Sequence, residues 1–337
     1  MHSLSLLLAF LGLVCAISAD FLNTTLPSPG PIDIAPPLDT GGHAGFPVYN
    51  ANNQRWPRQP DRRFLINWCF RDALAENNIF RAVDNGWGTW TRKLGAAQAS
   101  NGHNLHFERF KPVGGPNYPY CYTSPGVWDP QIPPETVVVY WVATDPMNRE
   151  GFASVGHTVS NVPGRHHLMI SGHTTDDNRD FTVAHELGHI FGLNHEHERS
   201  DRDQYIIYNC RNVEGFAEAW GRCLAEDPTC TEDMLCNDRA LAIRHGFIGS
   251  EFITYNIAPD IASPYDYQSI MHYDSRRGSN EAIVSGDRTN PTLYPMFKVD
   301  PQTNQAAFLR LAGGLKYPEF EISDGDAQMI RAMYPFQ

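Results

Sequence analysis

Basic residues are in short supply in this chain of 337 residues. Its 26 Lys and Arg stand against 38 Asp and Glu, a formal net charge of −12. That deficit argues against nucleic-acid binding as the main task, and the lack of any long basic run removes a membrane-surface patch. Long hydrophobic runs are missing after the N-terminus: no later stretch approaches the ~20 residues needed to span a bilayer. There is no C-x-x-C spacing, which argues against a cysteine-ligated zinc, and no internal repeat. What remains, 42% hydrophobic and 19% charged, is ordinary globular composition with ample core.

The one long apolar run lies at the start. Leu4 to Ile17 is interrupted mainly by Ser5 and leads into Ala16-Ile-Ser-Ala19. Small residues there suit cleavage before Asp20, so residues 1–19 read as a secretory signal peptide, although the stretch before it lacks Lys and Arg. The chain is therefore expected to be secreted. Loss of the signal removes Cys15 and leaves Cys69, Cys121, Cys210, Cys223, Cys230 and Cys236. An even number in a secreted chain implies three disulfides. Four of the six crowd between positions 210 and 236, so two bridges are expected to staple that segment, leaving Cys69 and Cys121 as a default pair. Asn23-Thr-Thr25 is an N-glycosylation sequon.

Residues 20–50 are rich in Pro, Gly, Asp and Thr without apolar periodicity and read as a pro-segment or flexible linker. Residues 51–337 read as one globular domain. Strands are expected at Arg63–Phe70, Leu105–Phe110, Thr136–Ala143, Phe152–Val159 and His167–Ser171. Ile79, Ala82, Val83, Gly86, Trp87, Trp90 and Leu94 fall at helical spacing. After Glu196 the chain reads as irregular until a last helix, where Ser323 and Asp326 form a capping-box-like start with Ile330 and Met333 facing inward.

The chemistry concentrates in His185-Glu-Leu-Gly-His189-Ile-Phe-Gly192-Leu-Asn-His195-Glu196. Histidines four residues apart on a helix share one face, so His185 and His189 can offer their imidazoles to one metal ion. Glu186 can reach a water on that metal. Gly192 accepts the left-handed backbone that stops the helix, and the reversed chain delivers His195 as a third ligand. Three protein ligands leave a position open for water, which distinguishes a catalytic zinc site from a structural one. Asp180 is expected to cap the helix. His157, His166, His167 and His173 are read as strand-face or loop residues.

Downstream, Ser269-Ile-Met-His-Tyr273 adds a second motif. The pattern H-E-x-x-H-x-x-G-x-x-H-E-x-x-R-x-D over His185 to Asp203, followed by S-x-M-H-Y, resembles the astacin family of zinc metalloendopeptidases within the metzincins. Glu196 after the third histidine points to astacins in particular. The resemblance implies an α+β metzincin-type zincin: a twisted, mostly parallel sheet with two long helices in an upper lobe, a loop-rich lower lobe, and the active-site cleft between them. It implies one zinc ion held by His185, His189 and His195, with Tyr273 as a displaceable further ligand that donates to the developing oxyanion. Glu186 would be the general base, Met271 the apolar floor beneath the histidines, and Glu196 a buried carboxylate tied to the N-terminus released by propeptide removal. His272 is left out of the ligand set.

Two departures stand beside the resemblance. The family's usual bridges have no cysteines here: Phe152 stands where one would be expected, and the chain near Asn104 and after Tyr334 carries none. The family's acidic propeptide switch is also absent in its usual form, with Asp33 and Asp39 as candidates. The expected partner is a protein or peptide substrate, with an extended segment pairing near Phe152 to Thr158; no nucleic-acid or membrane partner is expected. Two alternatives stay open: another metzincin-type protease, and a catalytically silent secreted zinc-binding protein. The intact Glu186 argues against the second, since it is not a ligand.

Overall fold

Four strands run parallel through the centre of the molecule, three of them near-continuous apolar runs, as expected of strands buried on both faces. A computed structural model describes residues 53–146, 149–255, 263–309 and 320–337. Its elements in chain order are β1 (Asn53–Gln54), β2 (Phe64–Phe70), α1 (Ala73–Leu94), β3 (Leu105–Arg109), β4 (Tyr122–Ser124), β5 (Val127–Trp128), β6 (Val137–Val142), β7 (Gly151–Ala153), β8 (His157–Thr158), β9 (His167–Ser171) and α2 (Asp176–Ile190). Then follow β10 (Ile207–Tyr208), α3 (Phe216–Glu226), α4 (Glu232–Asn237), α5 (Arg239–Arg244), α6 (Glu281–Val284), β11 (Met296–Val299), β12 (Ala306–Ala307) and α7 (Asp324–Met333).

The main sheet has the order β3-β2-β6-β9-β7. β2 pairs in parallel with β3 and β6, and β6 with β9, while β7 closes the edge antiparallel to β9. This is the mostly parallel sheet expected from the resemblance. Helix α1 buries Ile79, Ala82, Val83, Trp90 and Leu94, the face its spacing predicts, and Asp72 caps it by accepting from Ala75 N. It lies tightly on α2: a Cβ at Gly86 would come 2.7 Å from Val183 Cγ1, and Trp90 Nε1 donates to Ala184 O at 2.9 Å.

Three expectations need correction. Helix α2 begins at Asp176 with Thr175 at its cap position, so Asp180 lies inside it. Asp176 and Asp177 favour the earlier start by complementing the helix dipole, and Asp180 instead accepts from Asn85 Nδ2 of α1 at 2.9 Å. The stretch 152–159 is not one strand. Gly156 turns with φ 61 and donates to His189 O at 2.9 Å, splitting it into β7 and β8. The segment after Glu196 is not irregular throughout: α3, α4 and α5 fold there, with Phe216, Ala219 and Cys223 buried at one face of α3.

That segment has its own apolar cluster, including Phe216, Leu235, Phe247 and Phe252. Disulfides Cys210–Cys236 and Cys223–Cys230 staple it, and Cys69–Cys121 completes the expected set. Near Asn104, where the chain has no cysteine, main chain makes a join to the C-terminal segment: Asn104 N donates to Tyr334 O at 2.9 Å. Helix α7 opens with the expected capping box of Ser323 and Asp326, and buries Ile330 and Met333. Asp326 reaches further, accepting from Ser269 Oγ at 2.6 Å and Ile270 N at 2.8 Å. The signal sequence, the pro-segment, Asn23, Asp33 and Asp39 lie outside the described residues.

His166 and His167 are buried, as strand and loop residues. Thr158 N donates to His166 Nε2 at 2.8 Å while His166 Nδ1 lies 2.8 Å from Glu135 O, which assigns the neutral Nδ1–H tautomer. Burial pushes the His166 imidazole down to about 3 and that of His167 down to about 4. Both folded values lie below the unfolded value near 6.5. Their contribution is therefore fully present above about pH 6.5 and is lost as pH falls through about 4 for His167 and about 3 for His166. Across that window each histidine should contribute a fall in stability of up to about 1.4 kcal/mol per pH unit, read from thermal melts as the difference between wild type and a variant lacking it. His166→Gln should be less stable at pH 7.5 yet show a shallower slope; an unchanged slope would refute the assignment for His166.

Candidate metal centre and cleft

The last two turns of α2 place His185 and His189 on one face, and the helix ends where the sequence predicts. Gly192 takes φ 101, and Leu193 N closes the turn on Gly188 O at 2.9 Å. The reversal brings His195 Nε2 to 3.2 Å from His185 Nε2 and 3.1 Å from His189 Nε2. The other ring nitrogens are all engaged: His185 Nδ1 with Ile270 O at 2.8 Å, His189 Nδ1 with Leu193 O at 2.7 Å, and His195 Nδ1 with Glu198 Oε2 at 3.0 Å. An acceptor at every Nδ1 means that each Nδ1 carries the proton, so three Nε2 lone pairs face one point.

Burial holds all three imidazoles neutral, His185 well below its usual value and His189 and His195 at about 3. Buried lone pairs turned on one another need a cation between them. Three neutral imidazoles form the donor set that zinc prefers, so these residues fit a zinc ion. Among the described residues they are the one cluster of at least three His, Cys, Asp or Glu able to hold a metal.

Beneath them lies the turn Ser269–Tyr273. Met271 is fully buried, and a Cβ on Gly188 of α2 would run into its Sδ. The turn is held from below by Asp326 through Ser269 and Ile270. The Tyr273 ring lies 4.5 Å from that of His195, and its hydroxyl donates to Glu251 Oε2 at 3.2 Å. Burial pushes that phenol well above its usual range. His272 has both ring nitrogens engaged elsewhere, Nε2 at 2.7 Å from Tyr265 Oη and Nδ1 at 2.6 Å from Tyr273 O. His173, like His157, His166 and His167, stands apart from the metal cluster.

Glu186 is buried at the mouth of the cluster, and its Oε2 has no hydrogen-bond partner. Burial pushes its carboxyl up to about 8. Gly151 of the edge strand approaches so closely that a Cβ there would lie 2.7 Å from Glu186 Oε1. Glu196 is buried as expected, but its carboxylate meets Arg199 Nη1 at 2.9 Å and accepts from Asp266 N at 2.8 Å. Its burial is thus offset without an α-amino group. The segment before Asn53 that would supply one lies outside the described residues.

A cleft of about 420 Å³ opens over these groups, lined by Gly151, Phe152 and Ala153 of β7 on one side and by Tyr273 and Arg277 on the other. Arg277 Nη1 reaches Glu150 Oε2 at 3.1 Å across it. Glu198, Arg239, Glu251 and Arg277 also line the cleft and were not anticipated. Glu198 had a signal, a carboxylate three residues after His195. Arg239 and Glu251 had none, since they come from the segment read as irregular.

Residues 149–222 match the family model for astacin, described as a peptidase family. The chain is 35% identical over 116 residues to "Astacin-like metalloprotease toxin 5" of Loxosceles gaucho, an alignment that covers 34% of this chain and 46% of the toxin. It is 32% identical over 144 residues to "Zinc metalloproteinase nas-5" of Caenorhabditis elegans, covering 41% of this chain and 30% of that protein. The matched part thus spans less than half the length of either relative. Among solved structures, high choriolytic enzyme 1, a hatching-enzyme zinc protease from Oryzias latipes, aligns over 86% of this chain and 98% of its own with 14% identity and a TM-score of 0.49.

Proposed function

We propose, taking as premise that residues 149–222 carry an astacin sequence, that this chain is a secreted zinc-dependent endopeptidase. The observation that carries the reading is the convergence of three neutral Nε2 lone pairs beside a buried carboxylate with a partnerless oxygen, at the floor of an open cleft. His185, His189 and His195 would hold the zinc, with Tyr273 beside them. Bound zinc would lower the pKa of its water to about 7 and polarise the scissile carbonyl.

The chain's own residues supply the rest. Glu186 accepts the proton of the attacking water and passes it to the leaving amine. Its partnerless oxygen leaves it free to do so. The edge of β7 offers unpaired main-chain groups to an extended peptide, so that a substrate adds to the sheet as a further strand. β8 is already paired with Asn53–Gln54, which confines that docking to β7. Tyr273 leaves Glu251 and donates its hydroxyl to the developing oxyanion.

The test is hydrolysis of a peptide library by the purified protein and by Tyr273→Phe. The variant loses a hydrogen bond made mainly in the transition state, so kcat should fall with little change in KM. A variant that raises KM alone would refute the oxyanion role, and a wild-type protein that cleaves nothing after removal of residues 20–50 would refute the activity.

A further inference from the structure

A metal-bound histidine is steadied through its other ring nitrogen, and the charge of the acceptor there tunes how strongly the imidazole donates. The three histidines of this site are steadied unequally. His185 and His189 point Nδ1 at main-chain carbonyls, which no side-chain substitution removes. His195 points Nδ1 at a carboxylate, Glu198 Oε2, at 3.0 Å. Glu198 is 3% exposed and sits one short turn past His195, with its amide donating to His195 O at 3.1 Å. The turn itself therefore sets the reach of the carboxylate.

The second oxygen of Glu198 is also taken. Arg239 Nη2 donates to Oε1 at 2.7 Å. That guanidinium lies over the Tyr255 ring, 4.2 Å from its centroid, and donates to Ile253 O. Tyr255 N in turn donates to Glu198 O at 2.9 Å. Arg239 opens α5 only three residues after Cys236, just beyond the stretch that Cys210–Cys236 and Cys223–Cys230 staple. A buried carboxylate is stable only when partnered, and this one has a defined partner for each oxygen.

We propose that Glu198 and Arg239 are positioning residues for the metal centre: Glu198 holds His195 as the Nδ1–H tautomer with Nε2 aimed at the metal, and Arg239 holds Glu198. This rests on the zinc-protease reading. A carboxylate acceptor makes His195 a stronger donor than its two neighbours, so the ligand contributed by the loop, which lacks the rigidity of α2, is the one fastened by charge. The relay also attaches the disulfide-stapled segment of the lower lobe to the metal centre.

The experiment measures the zinc dissociation constant of the purified protein by competition with a chromophoric chelator, and the visible spectrum of its Co(II)-substituted form. Glu198→Gln should bind zinc about 10- to 100-fold more weakly, the range for loss of such a partner, and should shift the Co(II) bands. Arg239→Gln should weaken binding in the same direction, and Arg239→Lys should recover part of the loss. Arg244→Gln, on the same helix in an exposed ion pair with Glu226, should match wild type in both readouts. Wild-type affinity and spectrum in Glu198→Gln and Arg239→Gln would overturn the relay, as would equal weakening in Arg244→Gln. If Glu198→Gln does not fold, the Arg239 pair decides by the same criteria. A wild-type protein that binds no zinc would instead overturn the proposed function, a separate outcome.

Discussion

Glu186→Gln should keep the zinc content of the wild type and lose at least ~100-fold in kcat, in line with the general-base contribution to such reactions. The two properties separate because this carboxylate is beside the metal cluster and not in it. One oxygen lies against Gly151, where even a Cβ would crowd it, and the other is partnerless. Glutamine preserves that shape and removes the basic oxygen, so binding of substrate should change little. Steady-state kinetics on a cleaved peptide, with metal analysis of the same preparation, checks both halves. A kcat within a few-fold of wild type would move the proton transfer to another group. Loss of zinc would mean that Glu186 supports the ligands.

Metal removal should have an effect of comparable size. The purified protein should carry about one zinc per chain; phenanthroline should abolish proteolysis and added zinc should restore it. Stability should follow, because the stripped site keeps Nε2 lone pairs turned on one another at 3.1 and 3.2 Å with nothing between them. A ligand that binds only the folded state stabilises it by about 2.7 kcal/mol at one hundred times its dissociation constant. A calorimetric scan should therefore show a higher Tm with zinc than with chelator. Proteolysis that survives complete metal removal would end the metalloprotease reading.

The candidate metal ligands were legible because their geometry is local. His185 and His189 are bound to share a face by helical period alone, and Gly192 marks the reversal that brings in His195. The sheet was legible for a similar reason: Val137 to Val142 and Phe64 to Phe70 are apolar runs that admit little but buried strands. The break at Gly156 was not, because it depends on a hydrogen bond to His189 O from a distant helix. The helices of 216–244 were hidden by Gly, Pro and Asp at their borders and by their short length. Arg239 and Glu251 were hidden with them. They reach the centre only through the fold of that segment, and no spacing within the sequence relates position 239 to position 198.

Asp326 gives this arrangement a temporal consequence. It closes the capping box of α7 and at the same time holds Ser269 and Ile270, whose carbonyl in turn fixes His185. A ribosome adding about 5–20 residues per second delivers α2 and its histidines well before it delivers position 326. For those seconds the nascent chain carries His185, His189 and His195 yet lacks the clamp that orients the first of them. The candidate metal centre thus cannot take its final geometry until position 326 has been made, however early its three histidines emerge.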